Sequence, residues 1–118
     1  MTALVFGFLG EGQRDYDFLP IIVRRTLERL LPTIDILEIR LNNTGKKGQA
    51  QSEEMQAAAA YAIDYSFVVV HLDADGPDTR RAYEERFKPG LDAVHANPDG
   101  LNTNLVPIIP VRMTDAWL

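Results

Sequence analysis

The hydrophobic positions of the chain form short runs of two kinds. Residues 4–9 (LVFGFL) and 66–72 (SFVVVHL) are apolar almost throughout, which is typical of parallel strands covered on both faces. Residues 35–41 (DILEIRL) alternate apolar and charged side chains, which predicts a strand with a more exposed face at a sheet edge. Residues 104–113 (NLVPIIPVRM) are extended but carry two prolines, which predicts an edge or irregular strand.

Helical periodicity fills the first interval between these strands. It runs from Asp15 to about Leu31, and Pro32 ends it because proline cannot continue a helix. The apolar stripe of this predicted helix consists of Leu19, Val23, Leu27 and Leu30, with Phe18 and Ile22 alongside.

The other two intervals are also predicted to be helical. Residues 42–51 have the composition of a loop, and a helix is predicted from Ser52, its expected N-cap, to Ile63. Residues 79–97 have a helical pattern that contains Pro89-Gly90, so we expect a break or two short helices there.

Alternating strands and helices predict an α/β fold with a small, mainly parallel four-stranded sheet flanked by helices. The length suits one domain over residues 1–118. In a doubly wound order such as 2-1-3-4, the first, third and fourth strands are neighbours. Their carboxyl ends then share one edge of the sheet, and such folds bind ligands at that edge.

Acidic residues follow each of those three strands. Asp73 and Asp75 come directly after the third strand, and both could reach one Mg²⁺ or Mn²⁺ ion once the chain turns at 76–77. Glu11 and Asp15 follow the first strand at a spacing that places both on one helix face. Asp115 follows the fourth strand.

Each of these acids also has a purely structural interpretation. Acids after a strand often cap the next helix, and we expect Asp78 to do so. Glu11 fits a first-turn acid favoured by the helix dipole, and Asp15 fits a partner of Arg14 or of solvent.

The order of these motifs resembles the TOPRIM domain. E-G-x-x-D follows strand one, D-x-D follows strand three, and an acid before Ala-Trp-Leu follows strand four. The likeness spans residues 4–118 and is greatest to the branch that contains stand-alone bacterial members and the OLD nucleases. Relatives often carry glutamate before Ala-Trp, where this chain has Asp115.

The resemblance implies magnesium-dependent hydrolysis of phosphodiesters in nucleic acid, with DNA favoured over RNA. Glu11 would be the general acid/base or a metal ligand, joined by Asp15, and Asp73 with Asp75 would hold the main metal. Asp115 would be the last ligand. The resemblance also implies a catalytic module of a bacterial DNA-processing or defence system.

Basic residues near the same edge are candidates for holding a phosphodiester. Lys46 and Lys47 lie on the predicted loop after strand two, and Arg80 and Arg81 open the helix after D-x-D. A solvated loop and a solvated helix face are the more common explanation for these four residues. His71 lies inside a strand, where a hydrogen-bonded core histidine is the expected role.

Net charge and composition narrow the choice of partner. A net charge of −5 argues against non-specific nucleic-acid binding, unless divalent metal neutralises a shared acidic site. The chain has no cysteine, which fits a reducing cytoplasm, and no apolar run of the about 20 residues that a membrane span needs. The apolar C-terminal DAWL predicts truncation, or a partner domain or protein that covers it.

Two rival functions come from other classes. A receiver-like signalling domain would be phosphorylated on Asp73, but it needs a lysine after a later strand, and Arg112 is the only cation after strand four. A non-catalytic binding or assembly module would use the acids as caps and solubilising charges and would have no affinity for metal.

Overall fold

The computed structural model describes residues 3–11, 15–41, 51–74 and 78–110. Within these residues, one sheet is formed by β1 (Ala3–Leu9), β2 (Asp35–Leu41), β3 (Phe67–His71) and β4 (Leu105–Ile108). The order is β2-β1-β3-β4 and every neighbouring pair is parallel. The predicted fold class, strand order and edge positions of β2 and β4 are therefore confirmed.

Helical segments connect the strands. They are α1 (Asp15–Leu30), α2 (Gln51–Tyr61), α3 (Arg80–Ala82), a π-helical turn (Tyr83–Phe87) and α4 (Lys88–Ala96). The last three are consecutive and link β3 to β4. Because each connection joins parallel strands, every helix runs back across a face of the sheet.

The continuous apolar character of β3 follows from burial on both faces. Val69 packs with Phe6 and Phe8 on the face that α1 covers. Val68 and Val70 point to the opposite face, where α2, the π-helical turn and α4 pack. Alternate side chains of one strand thus serve two separate apolar clusters, and a polar residue would be costly at either position.

The apolar face of α1 differs from the predicted stripe at the C-terminal end of the helix. Leu19, Val23 and Leu27 pack against the sheet as expected. Leu30, the last residue of the helix, is exposed instead, because it lies outside the cluster beneath α1. Ile22 is also half-exposed, because it lies on a flank of the helix beside an open groove.

Two details of the other helices differ from the prediction. Ser52 lies inside α2 rather than at its N-cap, and its hydroxyl accepts a hydrogen bond from Gln56 Nε2 at 3.3 Å. Residues 79–97, where a break or two short helices were expected, do contain two short α-helices, α3 and α4, but the π-helical turn separates them and the chain stays helical across Pro89. Proline is tolerated there because it lies in the first turn of α4, directly after the wider π-helical turn.

Gly90 allows α2 and α4 to pack closely. A methyl group at this position would collide with the thioether of Met55, which is fully buried on α2. The glycine is therefore required by helix packing rather than by a helix break. Besides contacting each other, α2 and α4 both contact the π-helical turn, which contains Arg86.

Candidate functional site

The carboxyl ends of β1 and β3 bring two predicted acids together. Glu11 follows β1 and Asp73 follows β3, and these strands are direct neighbours in the sheet. The backbone N–H of Asp73 donates a hydrogen bond to Glu11 Oε2 at 3.2 Å. Two residues that are 62 positions apart in sequence therefore meet at the edge where such folds bind ligands.

Arg86 completes this cluster from the other side. Its Nη1 donates to Glu11 Oε1 at 2.6 Å, and its Nη2 donates to the backbone carbonyl of Asp73. A single planar guanidinium thus fixes both acidic segments relative to each other. The Glu11 side chain is 22% exposed and that of Arg86 30%, so both remain within reach of a ligand.

The π-helical turn determines where Arg86 points. In this turn the backbone N–H of Lys88 bonds to the carbonyl of Tyr83, five residues earlier. The widened turn buries Phe87 in the core while its neighbour Arg86 extends towards Glu11. Single π-helical turns inside α-helical stretches are frequent at functional sites.

His71 lies in the core next to the cluster of Glu11, Asp73 and Arg86. The imidazole is 2% exposed and is stacked against the ring of Phe8, with the centroids 6.4 Å apart, so the expected core position is confirmed. Its Nε2 also lies 3.5 Å from Asp73 Oδ1. The Asp73 carboxylate is 65% exposed, so it meets both the buried ring and solvent.

Burial dominates the electrostatics of the cluster. Burial raises the pKa of Glu11 above its usual 4.5, and the charge of Asp73 acts in the same direction. The Asp73 N–H and the Arg86 guanidinium oppose this shift without cancelling it. Burial, followed by the charge of Glu11, also raises the pKa of Glu54 on α2. Burial is therefore the main reason that the neutral form of Glu11 is favoured at this edge.

Tyr16 on α1 holds the backbone next to Glu11. Its hydroxyl donates to the Leu41 carbonyl at 2.6 Å and accepts the Gly10 N–H at 2.9 Å. This connects the carboxyl ends of β1 and β2 at the same edge. The hydroxyl thereby restrains the residue that precedes Glu11.

Several predicted site residues fall outside the described part of the chain. These are the side chain of Asp15, whose backbone opens α1, together with Asp75, Asp115, Lys46 and Lys47. Their proposed roles stay predictions. Among the described residues, no group of three or more His, Cys, Asp or Glu side chains is arranged to hold a metal ion.

The two predicted arginines near the site pair with acids of their own segment. Arg80 Nη2 lies 3.7 Å from Asp78 Oδ2, and Arg81 Nε lies 3.2 Å from Glu85 Oε2. Asp78 Oδ1 also accepts the Arg80 N–H at 2.8 Å, so it contacts the start of α3 as expected, although Thr79 and not Asp78 occupies the N-cap position. A role in substrate binding for either arginine stays a prediction.

Arg86, Glu54 and Tyr16 were missed as parts of the site. Arg86 follows two glutamates in a segment that looks like an ordinary solvated helix face. Glu54 resembles a first-turn helix acid. A weak signal was present for Tyr16, since it lies in the first turn of the helix that follows β1.

Comparisons with protein-family models, with curated proteins and with solved structures gave no match to this chain. In the part of the chain that the structure describes, no helix is both long and apolar enough to cross a membrane.

Proposed function

We propose that this chain is a metal-dependent phosphodiester hydrolase of the TOPRIM type that acts on nucleic acid, with DNA favoured over RNA. The observation that carries the proposal is the contact of Glu11 with Asp73 at the ligand-binding edge of a parallel sheet. We further propose a cytoplasmic protein that serves a bacterial DNA-processing or defence system.

The donor chemistry of the site fits Mg²⁺ or Mn²⁺. Glu11 and Asp73 offer carboxylate oxygens, which hard divalent cations prefer, and a cation between them would offset the repulsion between their two charges. Asp75 is the nearest candidate for a third ligand by sequence, with Asp15 and Asp115 after it. A bound ion would polarise a phosphoryl oxygen and lower the pKa of a water molecule.

Glu11 suits the transfer of a proton. A general acid or base works best when its pKa lies near the operating pH, and burial moves the pKa of this carboxyl in that direction. The Asp73 N–H and Arg86 hold its two oxygens, so the side chain has a fixed orientation. Both features are expected of a positioned catalytic carboxylate.

Arg86 suits the binding of a phosphoryl group. A guanidinium has five N–H donors, and only two contacts of Arg86 are with the acidic segments. Its partial exposure leaves it open to an anionic oxygen at the same edge. In this role Arg86 would stabilise charge that develops on the phosphoryl oxygens.

One observation supports a receiver-like alternative. Asp73 is largely exposed directly after a central strand, where a small phosphodonor could reach it. Incubation with acetyl phosphate and Mg²⁺, followed by intact-mass measurement, separates the two functions. A gain of one phosphoryl group that Asp73→Asn abolishes would support the signalling function.

Cleavage assays test the proposal directly. Purified chain would be incubated with plasmid DNA, single-stranded DNA and RNA in the presence of Mg²⁺ or Mn²⁺, beside Glu11→Gln and Asp73→Asn. We expect metal-dependent cleavage that each substitution lowers about 10²–10⁴-fold.

Asp92→Asn is the matched control, because it makes the same substitution at an exposed position of α4, outside the cluster. Its activity should equal that of the wild type. Absence of cleavage on all three substrates, or equal activity in Asp73→Asn and wild type, would contradict the proposal.

A further inference from the structure

An apolar groove lies beside α1 on one face of the sheet. Its volume is about 430 Å³, and its walls are α1 on one side and side chains of β3 and β4 on the other, of which Val106 is exposed. The lining side chains are Ile22, Val23, Thr26, Leu27, Phe67, Val69, Val106 and Ile108. Thr26 is the one polar member, so the groove suits an apolar occupant.

The sheet topology explains why this surface is open. Parallel sheets normally have both faces covered by their connecting segments. Among the described helices, α1 alone packs on this face, where it lies against β1 and β2. The opposite face has α2 and α4. A covering element for β3 and β4 on the α1 face is therefore expected beyond the described connections.

We propose that residues 111–118 (VRMTDAWL) cover this groove, with Trp117 as the main apolar contact. Ile108, the last residue of β4, lines the groove, so the following chain starts at its wall. Five of the eight residues in this segment are apolar. This proposal does not depend on the proposed hydrolase activity.

The segment is long enough for this role. Eight residues span about 12 Å as a helix and up to about 28 Å when extended. The four residues of β4 measure about 13 Å, so either conformation reaches along the whole strand. A tryptophan side chain buries roughly 150–250 Å², which suits a groove lined by aliphatic and phenyl groups.

A second copy of the chain fits this surface less well. A stable interface between proteins takes about 20–30 residues on each side, whereas eight side chains line the groove. A short tethered segment needs less area, because its attachment to β4 removes most of the entropic cost of association.

The single tryptophan of the chain makes the test specific. Fluorescence of Trp117, excited selectively, would be measured in the full chain under native conditions and in denaturant, with acrylamide as a quencher. We expect native emission at shorter wavelength than in the unfolded chain, together with reduced quenching.

Substitutions in the two walls of the groove test whether Trp117 lies in it. Val106→Glu and Ile22→Glu introduce charge on β4 and on α1, at side chains that are 43% and 51% exposed. Each should move the emission towards that of the unfolded chain and increase quenching. Leu37→Glu is the matched control, because Leu37 is 51% exposed on the other edge strand, outside the groove, and should leave the emission unchanged.

Three results would overturn the proposal, provided that circular dichroism shows each variant to be folded. The first is native emission equal to that of the unfolded chain. The second is shielded emission that neither Val106→Glu nor Ile22→Glu alters, because Trp117 would then be buried elsewhere. The third is shielding that disappears on dilution of the wild type, since a second copy would then cover the groove.

Discussion

At the scale of single residues, Glu11 was predicted from the sequence pattern and also has a direct role in the proposed chemistry. It was predicted from its place after the first strand, and the structure places it against Asp73. The sequence could not predict the pKa of Glu11. Burial raises this pKa and Arg86 lowers it, and both effects depend on how distant segments pack around the carboxyl.

The raised pKa of Glu11 predicts how stability depends on pH. The folded chain holds the proton more tightly than the unfolded chain, whose value is near 4.5. The resulting stability is present below that pH and is lost as the pH rises through the folded-state pKa. Glu11→Gln stays neutral, so without metal its stability relative to wild type should rise across this window and then level off.

Urea unfolding of both proteins at a series of pH values measures this difference. Glu53→Gln, at an exposed position of α2, is the control for a general loss of one negative charge. A difference between Glu11→Gln and wild type that does not change with pH would show that the buried carboxyl is not the cause.

Arg86 is expected to lower the pKa of Glu11, because its guanidinium lies 2.6 Å from one carboxylate oxygen. Arg86→Gln should therefore raise the pKa of Glu11 further. Carbon-detected NMR titration of the Glu11 carboxyl measures the change. Arg81→Gln, which removes a guanidinium paired with Glu85, should leave the titration of Glu11 as in wild type. Equal titration curves in all three proteins would contradict the assigned contact.

At the scale of secondary-structure elements, the hydrophobic pattern was sufficient to predict the strands. Their order was predicted from the doubly wound α/β arrangement. Run length and alternation separated the buried strands from β2, and the two prolines marked the segment of β4 as an edge. The π-helical turn was not predictable, because it depends on the packing of Phe87 and on Pro89 in the next turn. Local sequence suggested a break or two short helices around Pro89-Gly90, and the two short α-helices are instead separated by this turn, just before Pro89.

Asn102 has a structural role in the fold that the amino-acid composition alone did not reveal. It lies in a loop before β4, yet it is buried, and its Nδ2 donates to the carbonyls of Ala62 and Tyr65 at 2.9 and 2.8 Å. Its Oδ1 accepts the Asn104 N–H at 2.9 Å. The side chain thereby joins the end of α2 to the start of β4.

Asn102→Ala should lower the free energy of unfolding by about 2–4 kcal/mol, because three side-chain hydrogen bonds are lost at a buried position. Asn104→Ala is the control, since it removes one exposed side-chain contact of 3.3 Å and should cost less than about 1 kcal/mol. Urea unfolding at neutral pH gives both values. Similar losses in the two variants would mean that Asn102 does not join these elements.

At the scale of the whole molecule, the sheet order determines where chemistry can occur. The order β2-β1-β3-β4 places the ends of β1, β3 and β4 side by side, which is why acids far apart in sequence were expected to converge. The convergence of Glu11 and Asp73 agrees with that expectation. Asp75 and Asp115 lie outside the described residues, so their part in the site depends on experiment.

The central claim is that the acids at this edge form one divalent-metal site. The most direct measurement is paramagnetic broadening of the amide signals of ¹⁵N-labelled chain by substoichiometric Mn²⁺. We expect the signals of Gly10, Glu11 and Asp73 to broaden first, while those of Asp92 on α4 and Asp99 before β4 persist, and we expect Asp73→Asn to abolish the effect. Broadening spread evenly over all surface acids, or none at the ends of β1 and β3, would contradict this claim.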